Sequence, residues 1–459
     1  MKTLKQFFPT ARAAFTGFRV PWRALQFLVW LLAGMLGASA VHAKPLQDLR
    51  VLYIGKPDTE RAKEFRDFLQ PNVGSINVAD RDHFKPYGAE GFDVVLLDWP
   101  QTGADLEKLK VNPLGPRSQW HKPTVLLGSA GLLTAVTWQV RGGSGCTCLF
   151  PFVYGVKDDA IFRGPVPVHQ RMWRRPTPGV WADEIKTKDI EVLSLVEDYS
   201  RAWEPGWCTY SGGFARQPEI EFFCSGINDK TPTAAALWRQ GNLFHFGFQQ
   251  SPAQMNEAGQ ALLLNAISYI SHFSQDRPIA VTPSAFVAPN PYSRDQVLSR
   301  LKGPDGGVPD IARMVTSKVF SEIQNLGLKE RLAWWQSSGR FLHPNPEGEL
   351  TVDRQLAGLG VPFDTPAFFE KAIAGLKAGG QAARRDRALL VRYAPEGSAD
   401  GSAVAWRRWW SENRPYVFPL EIGSYRWYID PLAKARGIPT SQLRGAERAD
   451  VDGSLAPRN

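Results

Sequence analysis

The chain has 459 residues, of which 43% are hydrophobic, 12% aromatic and 22% charged. That is enough for two or three domains with sizeable cores, and it excludes wholesale disorder and collagen-like or coiled-coil architecture. Of the net charge of +9, Lys2, Lys5, Arg12, Arg19 and Arg23 supply five units, so the remaining +4 gives no argument for a nucleic-acid partner.

Those five cations precede an apolar run, Leu25-Gln-Phe-Leu-Val-Trp-Leu-Leu-Ala-Gly-Met-Leu36, and small residues then lead to Ala43. This is the order of a secretory signal peptide. The apolar run is shorter than the ~20 residues a spanning helix needs. Residues 1–43 are therefore expected to be cleaved, with an uncleaved anchor as the alternative. The mature chain should begin near Lys44, in the periplasm or outside the cell, with no stable membrane span.

The following half alternates strand and helix signals. Leu49-Arg-Val-Leu-Tyr-Ile54 is a continuous apolar run, as in a strand buried on both faces. Thr59 can cap a helix to about Leu69 with Ala62, Phe65, Phe68 and Leu69 on one side. Strands are expected at 76–78, 92–97 and 123–127. Gly128-Ser-Ala-Gly131 then turns the chain into an apolar helix from 132 to about 140. After an irregular insertion at 141–189 come strands at 190–196 and 219–224. A hairpin at 234–248 follows, turning at Gln240-Gly241-Asn242. Ser251-Pro252 predicts a helix start, with a helix to about Phe273. The alternation implies parallel pairing through right-handed crossovers. The expected fold is α/β, a flavodoxin-like, doubly wound, mainly parallel sheet at 44–280.

A Pro/Gly-rich stretch at 281–310 reads as a linker. Residues 311–439 carry helical apolar spacing, and predict a mostly α-helical C-terminal domain. Trp406, Trp409 and Trp410 read as its core, with protein-partner docking as the alternative. The polar residues 440–459 read as a flexible tail.

All four cysteines, Cys146, Cys148, Cys208 and Cys224, fall in one part of the chain. In an exported protein they allow three disulfide pairings. Cys146-Thr-Cys148 is short for an internal bridge and departs from zinc-ligand spacing. The expected bridge is Cys208–Cys224, since both lie in strand-like segments around Ser211-Gly212-Gly213. Free buried thiols are the alternative, and a thiol-redox role for Cys146 and Cys148 is a further one.

Gly55, Asp98 and Leu127-Gly-Ser-Ala-Gly131 follow three successive strands in an order that resembles class I glutamine-amidotransferase-like domains. Trp238-Arg-Gln-Gly-Asn-Leu-Phe-His-Phe-Gly-Phe248 and a following helix resemble the closing hairpin of the trehalose-utilisation (ThuA-like) branch. Asp158-Asp-Ala-Ile-Phe-Arg-Gly164 is similar to that branch's His-Pro-containing segment, with Asp159-Ala160 in place of His-Pro. The resemblance spans about residues 46–275. It implies a cysteine nucleophile in a G-x-C-x-G elbow, backed by a later histidine and acid. Here Ala130 stands at the cysteine position. Shifting the elbow by one residue to Ser129 would need glycine at position 127, where Leu127 stands.

The strand ends should gather Lys56, Asp58, Asp98, Trp99, Ser129 and Gly131 in one crevice. A carboxylate beside an indole suits a carbohydrate or another polyhydroxylated ligand. Asp98→Ala is then expected to weaken ligand retention with little change in melting temperature. His245 reads as a packed strand residue, and Asp80, Asp82 and His83 as a solvated loop. Arg171, Arg174 and Arg175 with Trp173 and Trp181 read as a surface loop. No metal or cofactor motif occurs. The expected function is an exported, non-catalytic binding or scaffold protein. The alternative is a carbohydrate-processing enzyme using a crevice carboxylate such as Asp98 as general base.

Overall fold

β1 (Arg50–Gly55) is buried at every position after Arg50, because β2 (Ser75–Asp80) and β3 (Val94–Asp98) flank it in parallel. The computed structural model describes residues 44–450 except 100–110, 143–144, 158, 183, 201–203, 285–291 and 304–307. The expected leader, 1–43, lies outside the described residues, as does 451–459. Between β1 and β2, α1 (Glu60–Leu69) starts where the Thr59 hydroxyl accepts the Ala62 N–H at 3.2 Å. Ala62, Phe65 and Leu69 recur at helical spacing and bury one face against the sheet.

β4 (Thr124–Leu127) joins β3 in parallel and leads directly into α2 (Ala130–Trp138). The insertion at 141–189 is not irregular throughout. It supplies β5 (Cys146–Leu149), β6 (Phe152–Tyr154), α3 (Ala160–Arg163) and β7 (Met172–Pro176). β8 (Asp189–Ser194), β9 (Gly206–Tyr210), β10 (Ile220–Gly226), β11 (Ala234–Gln240) and β12 (Leu243–Phe246) complete the set. The strand order is β2-β1-β3-β4-β12-β11-β10-β6-β8-β7, with β5 and β9 paired to one side.

The sheet is mixed, which corrects the expectation of a mainly parallel one. From β2 through β4 to β12 the neighbours run parallel. Beyond β12 each successive pair along that order is antiparallel. A parallel neighbour needs a long crossover, usually helical. After α2 the strands return through hairpins and loops without a long crossover helix, and α3, the one α-helix among them, has a single turn. Gly241 closes the β11–β12 hairpin at φ +58°, where a Cβ would also run into the Arg277 backbone.

α4 (Glu257–Ile270) begins one turn later than Ser251-Pro252 predicts. Asn256 is the cap, its side chain accepting the Gly259 N–H at 3.0 Å. Ser251 and Pro252 instead form the preceding turn, whose carbonyls both accept the Met255 N–H. The expected inward residues Met255, Leu262, Leu263, Ala266, Ile267 and Ile270 are all buried.

The C-terminal region is mostly helical, and it starts inside the stretch expected to be linker. α5 (Arg294–Lys302) has a full capping box, Ser293 with Gln296, that the proline-rich context obscures. After it come α6 (Ser317–Ile323), α7 (Leu328–Ser337), α8 (Arg354–Leu359), α9 (Pro366–Leu376), α10 (Gly380–Tyr393), α11 (Ala403–Asn413) and α12 (Pro431–Arg436). Two hairpins interrupt them: β13 (Leu342–Pro344) with β14 (Leu350–Val352), and β15 (Val417–Leu420) with β16 (Arg426–Ile429). Trp406 and Trp410 are buried in this core, and Trp410 stacks on Phe369 at 4.1 Å. No helix among the described residues is long and apolar enough to cross a membrane.

Residues 440–450 depart from the expectation of a loose tail. Arg448 is fully buried and grips two carboxylates, Asp276 at 2.7 and 2.9 Å and Asp430 at 2.7 and 3.1 Å. Arg239, on β11, also reaches Asp276, at 2.8 Å, and donates to the Gly445 carbonyl at 2.9 Å. A polar segment becomes fixed because its cation is the partner that the buried acids need.

Candidate functional site

Asp98 ends β3 at the carboxyl edge of the parallel strands, where a ligand crevice is expected. Its carboxylate is only 2% exposed. Arg61, projecting from α1, holds it in a two-pronged grip, Nε at 2.8 Å and Nη2 at 3.0 Å. The buried Tyr53 hydroxyl donates a third bond at 2.5 Å. Burial works against the Arg61 cation, but Asp98 outweighs it and raises the guanidinium pKa above its ordinary value. A carboxylate fixed by a bidentate arginine and a tyrosine is an anchor, not a free base.

The neighbouring groups are likewise engaged. Arg81 donates to the Asp98 carbonyl at 3.3 Å and lies over the Trp99 ring at 4.4 Å, so one indole face is covered by a cation. Glu204 approaches Arg61 at 3.8 Å, and its backbone and side-chain oxygens accept from Gln250 at 2.9 Å and Gln254 at 3.3 Å. Lys56 turns away to Asp82 and Asp80, and His83 Nδ1 lies 2.6 Å from Asp80. Asp58 is exposed. The structure therefore joins Asp98 to Tyr53, Arg61 and Arg81, while Lys56 and Asp58 belong to the rim.

The elbow between β4 and α2 is closed. Gly128 takes φ +49°, as a tight strand-to-helix turn requires, and a Cβ there would strike the Gln249 amide. The Gln249 Oε1 accepts the Ser129 N–H at 3.0 Å, so a protein amide occupies the donor an anionic ligand would seek. Ser129 is 3% exposed and Ala130 is fully buried among Leu52, Val95, Leu97 and Leu126. A Cβ on Gly131 would sit 2.7 Å from the Trp207 ring and 3.1 Å from His245 Nδ1.

His245 thus lies beneath the start of α2, stacked on Trp238 at 3.7 Å and tilted against Trp207 at 5.5 Å. Burial lowers its pKa to about 3, and neither ring nitrogen has a hydrogen-bond partner among the described residues. It is a neutral, packed imidazole with no acid to orient it, which general-base catalysis would need.

The cysteines correct the expected bridge. Cys146 and Cys148 are the disulfide-bonded pair, while Cys208 and Cys224 are free and buried. β5 and β9 run side by side with Cys146 opposite Cys208, whereas Cys224 pairs with Leu237 on β11. The Gly212-Gly213 turn therefore does not bring Cys208 against Cys224. Burial raises both free thiols above their ordinary pKa, which disfavours the reactive thiolate.

Sequence reasoning misses Arg61, Tyr53 and Gln249. Tyr53 and Arg61 read there only as strand and helix positions, and Gln249 sits in an unpatterned turn after β12. It also misses a cavity of about 540 Å³ walled by both the α/β and the helical regions. Among the described residues no group of three His, Cys, Asp or Glu side chains is placed to hold a metal.

No protein-family model matches the chain, and no curated protein matches it. Among solved structures, a Thermoplasma acidophilum protein provisionally assigned as one component of GMP synthase is similar at 12% identity and a TM-score of 0.28. The similarity covers 49% of this chain and 94% of that one. At that score the likeness is weak, and it assigns no family or role to this chain.

Proposed function

We propose that this chain is an exported, non-catalytic binding protein built on a degenerate amidotransferase-like domain. The observation that carries the reading is the closed elbow: Ala130 offers no nucleophile, and Gln249 occupies the Ser129 amide. The tied state of Asp98 argues in the same direction. A general base must reach the proton it removes, and among the described residues this carboxylate is hydrogen-bonded by Arg61 and Tyr53. The enzyme alternative loses its leading carboxylate on this ground. With the strand-end polar groups bonded to one another, a polyhydroxylated ligand is better accommodated away from the crevice.

The wild-type chain is expected to release no ammonia from glutamine above a blank. Ala130→Cys should release none either, because burial and a neutral, packed His245 with no acid partner leave the thiol without a competent base. Saturable ammonia release by the wild-type protein would overturn the reading.

A further inference from the structure

Between the α/β region and the helical region lies the cavity of about 540 Å³, within the usual range for small-molecule sites. Its floor is a saturated ion pair. Arg294 is 4% exposed and bonds Glu421 through Nε at 3.1 Å, Nη2 at 2.7 Å and its backbone N–H at 2.9 Å. Asp364 lies 2.7 Å from the same guanidinium. On the wall, Arg216 is already paired with Asp295. The charge of both arginines is thus already matched by carboxylates of the protein.

Arg340 and Arg444 differ. Both line the cavity, and although the Arg444 backbone N–H is capped by Glu447 at 3.1 Å, neither guanidinium pairs with a carboxylate among the described residues. Arg340 donates only to the Gly360 carbonyl at 3.3 Å, and its buried Nε has no partner. The Arg444 guanidinium donates only to the Ala215 carbonyl at 2.7 Å. Each guanidinium carries five donors in a planar fork, so Nη donors beyond those two carbonyl bonds remain for a carboxylate. Trp335 and Phe418 supply aromatic surface in the same wall.

We infer that this cavity binds an acidic sugar, a uronic acid or a short uronate oligomer. The inference rests on the binding-protein reading above and names its site and ligand class. A uronate carboxylate matches the two open arginine forks. Its hydroxyls can donate to Asp295 and Asp364, and its C–H faces can lie on the rings. The lining holds four arginines, Arg216, Arg294, Arg340 and Arg444, against the carboxylates Asp295, Asp364 and Glu421, and an excess of one positive charge suits one uronate carboxylate in the cavity better than a phosphate dianion.

Calorimetric titration of the full chain with trigalacturonate tests this, with galacturonate as the free-sugar arm and maltotriose as the neutral one. Saturable binding of trigalacturonate or galacturonate is expected, with no binding of maltotriose. Arg444→Ala and Arg340→Ala should each weaken the affinity at least tenfold, and Arg444→Lys should recover part of the loss. Arg444 is exposed, so its variants should fold normally, which the melting temperature will show. Absence of saturable uronate binding, or binding that both arginine variants leave unchanged, would overturn the proposal. Equal affinity for maltotriose would overturn it too. None of these outcomes bears on ammonia release, so the site can fail while the non-catalytic reading stands.

Discussion

Arg448→Ala should lose about 3–5 kcal/mol of stability, because it strands buried carboxylates without their cation. Arg448, Asp276 and Asp430 are all fully buried, and without Arg448 the Asp276 carboxylate keeps Arg239 at 2.8 Å and the Arg277 N–H at 2.9 Å. Residues 440–450 keep their other attachments, Arg444 to the Ala215 carbonyl and Asp450 to the Ser274 and Gln275 amides, so the loss falls on the buried charges rather than on the whole segment. Urea denaturation monitored by tryptophan fluorescence measures it. The pH dependence has a definite sign. Burial would raise the Asp276 pKa, but Arg448 and Arg239 outweigh burial and hold it below its ordinary value of 3.8. Its stabilising contribution is therefore full above that value and disappears as pH falls through the lower folded one. The wild type should weaken in that acid range. In Arg448→Ala the weakening should begin at higher pH, because Asp276 keeps only one cation. A variant within about 1 kcal/mol of wild type would mean that the triad is not buried as described.

Asp98→Ala is the second large effect, with an expected loss of about 3 kcal/mol. It removes both oxygens from Arg61, whose side chain is 16% exposed, and the acceptor from the fully buried Tyr53 hydroxyl. This reverses the expectation from sequence, which anticipates lost ligand retention at an almost unchanged melting temperature. Asp98→Asn keeps an acceptor for Tyr53 and should recover part of the loss. Differential scanning calorimetry of the two variants gives the comparison. A melting temperature unmoved in Asp98→Ala would return the residue to the free crevice groups.

The contrast between these residues shows what the sequence makes legible. β1, β3, β4 and α1 announce themselves through local signals, an unbroken apolar run or a Thr cap followed by residues at helical spacing. The β11–β12 hairpin does the same through Gln240-Gly241-Asn242. Parallel against antiparallel pairing beyond β12 is not a local property, because it depends on which edge each returning strand meets. The α5 capping box is present as Ser293 and Gln296 but lies next to a proline-rich stretch that reads as linker. Asp98 is recognisable as a strand-end acid, yet its role depends on Arg61, 37 residues earlier, turning toward it. Gln249 lies 120 residues from the Ser129 amide it closes, and Arg448 is 172 residues from Asp276. Partners at such separations are set by the fold alone. Ala130 is the exception, since the missing nucleophile is visible in the sequence itself.

The closed elbow is tested most directly by hydrogen exchange at the Ser129 amide. That N–H has no intrahelical acceptor, so Gln249 Oε1 is its source of protection. In wild-type protein, peptides spanning residues 127–133 should show slow exchange at this position. Gln249→Ala should raise its exchange about five- to tenfold, the scale of one hydrogen bond near 1 kcal/mol. Exchange in the wild type at the rate of an open loop, unchanged in Gln249→Ala, would show an open elbow and contradict the account.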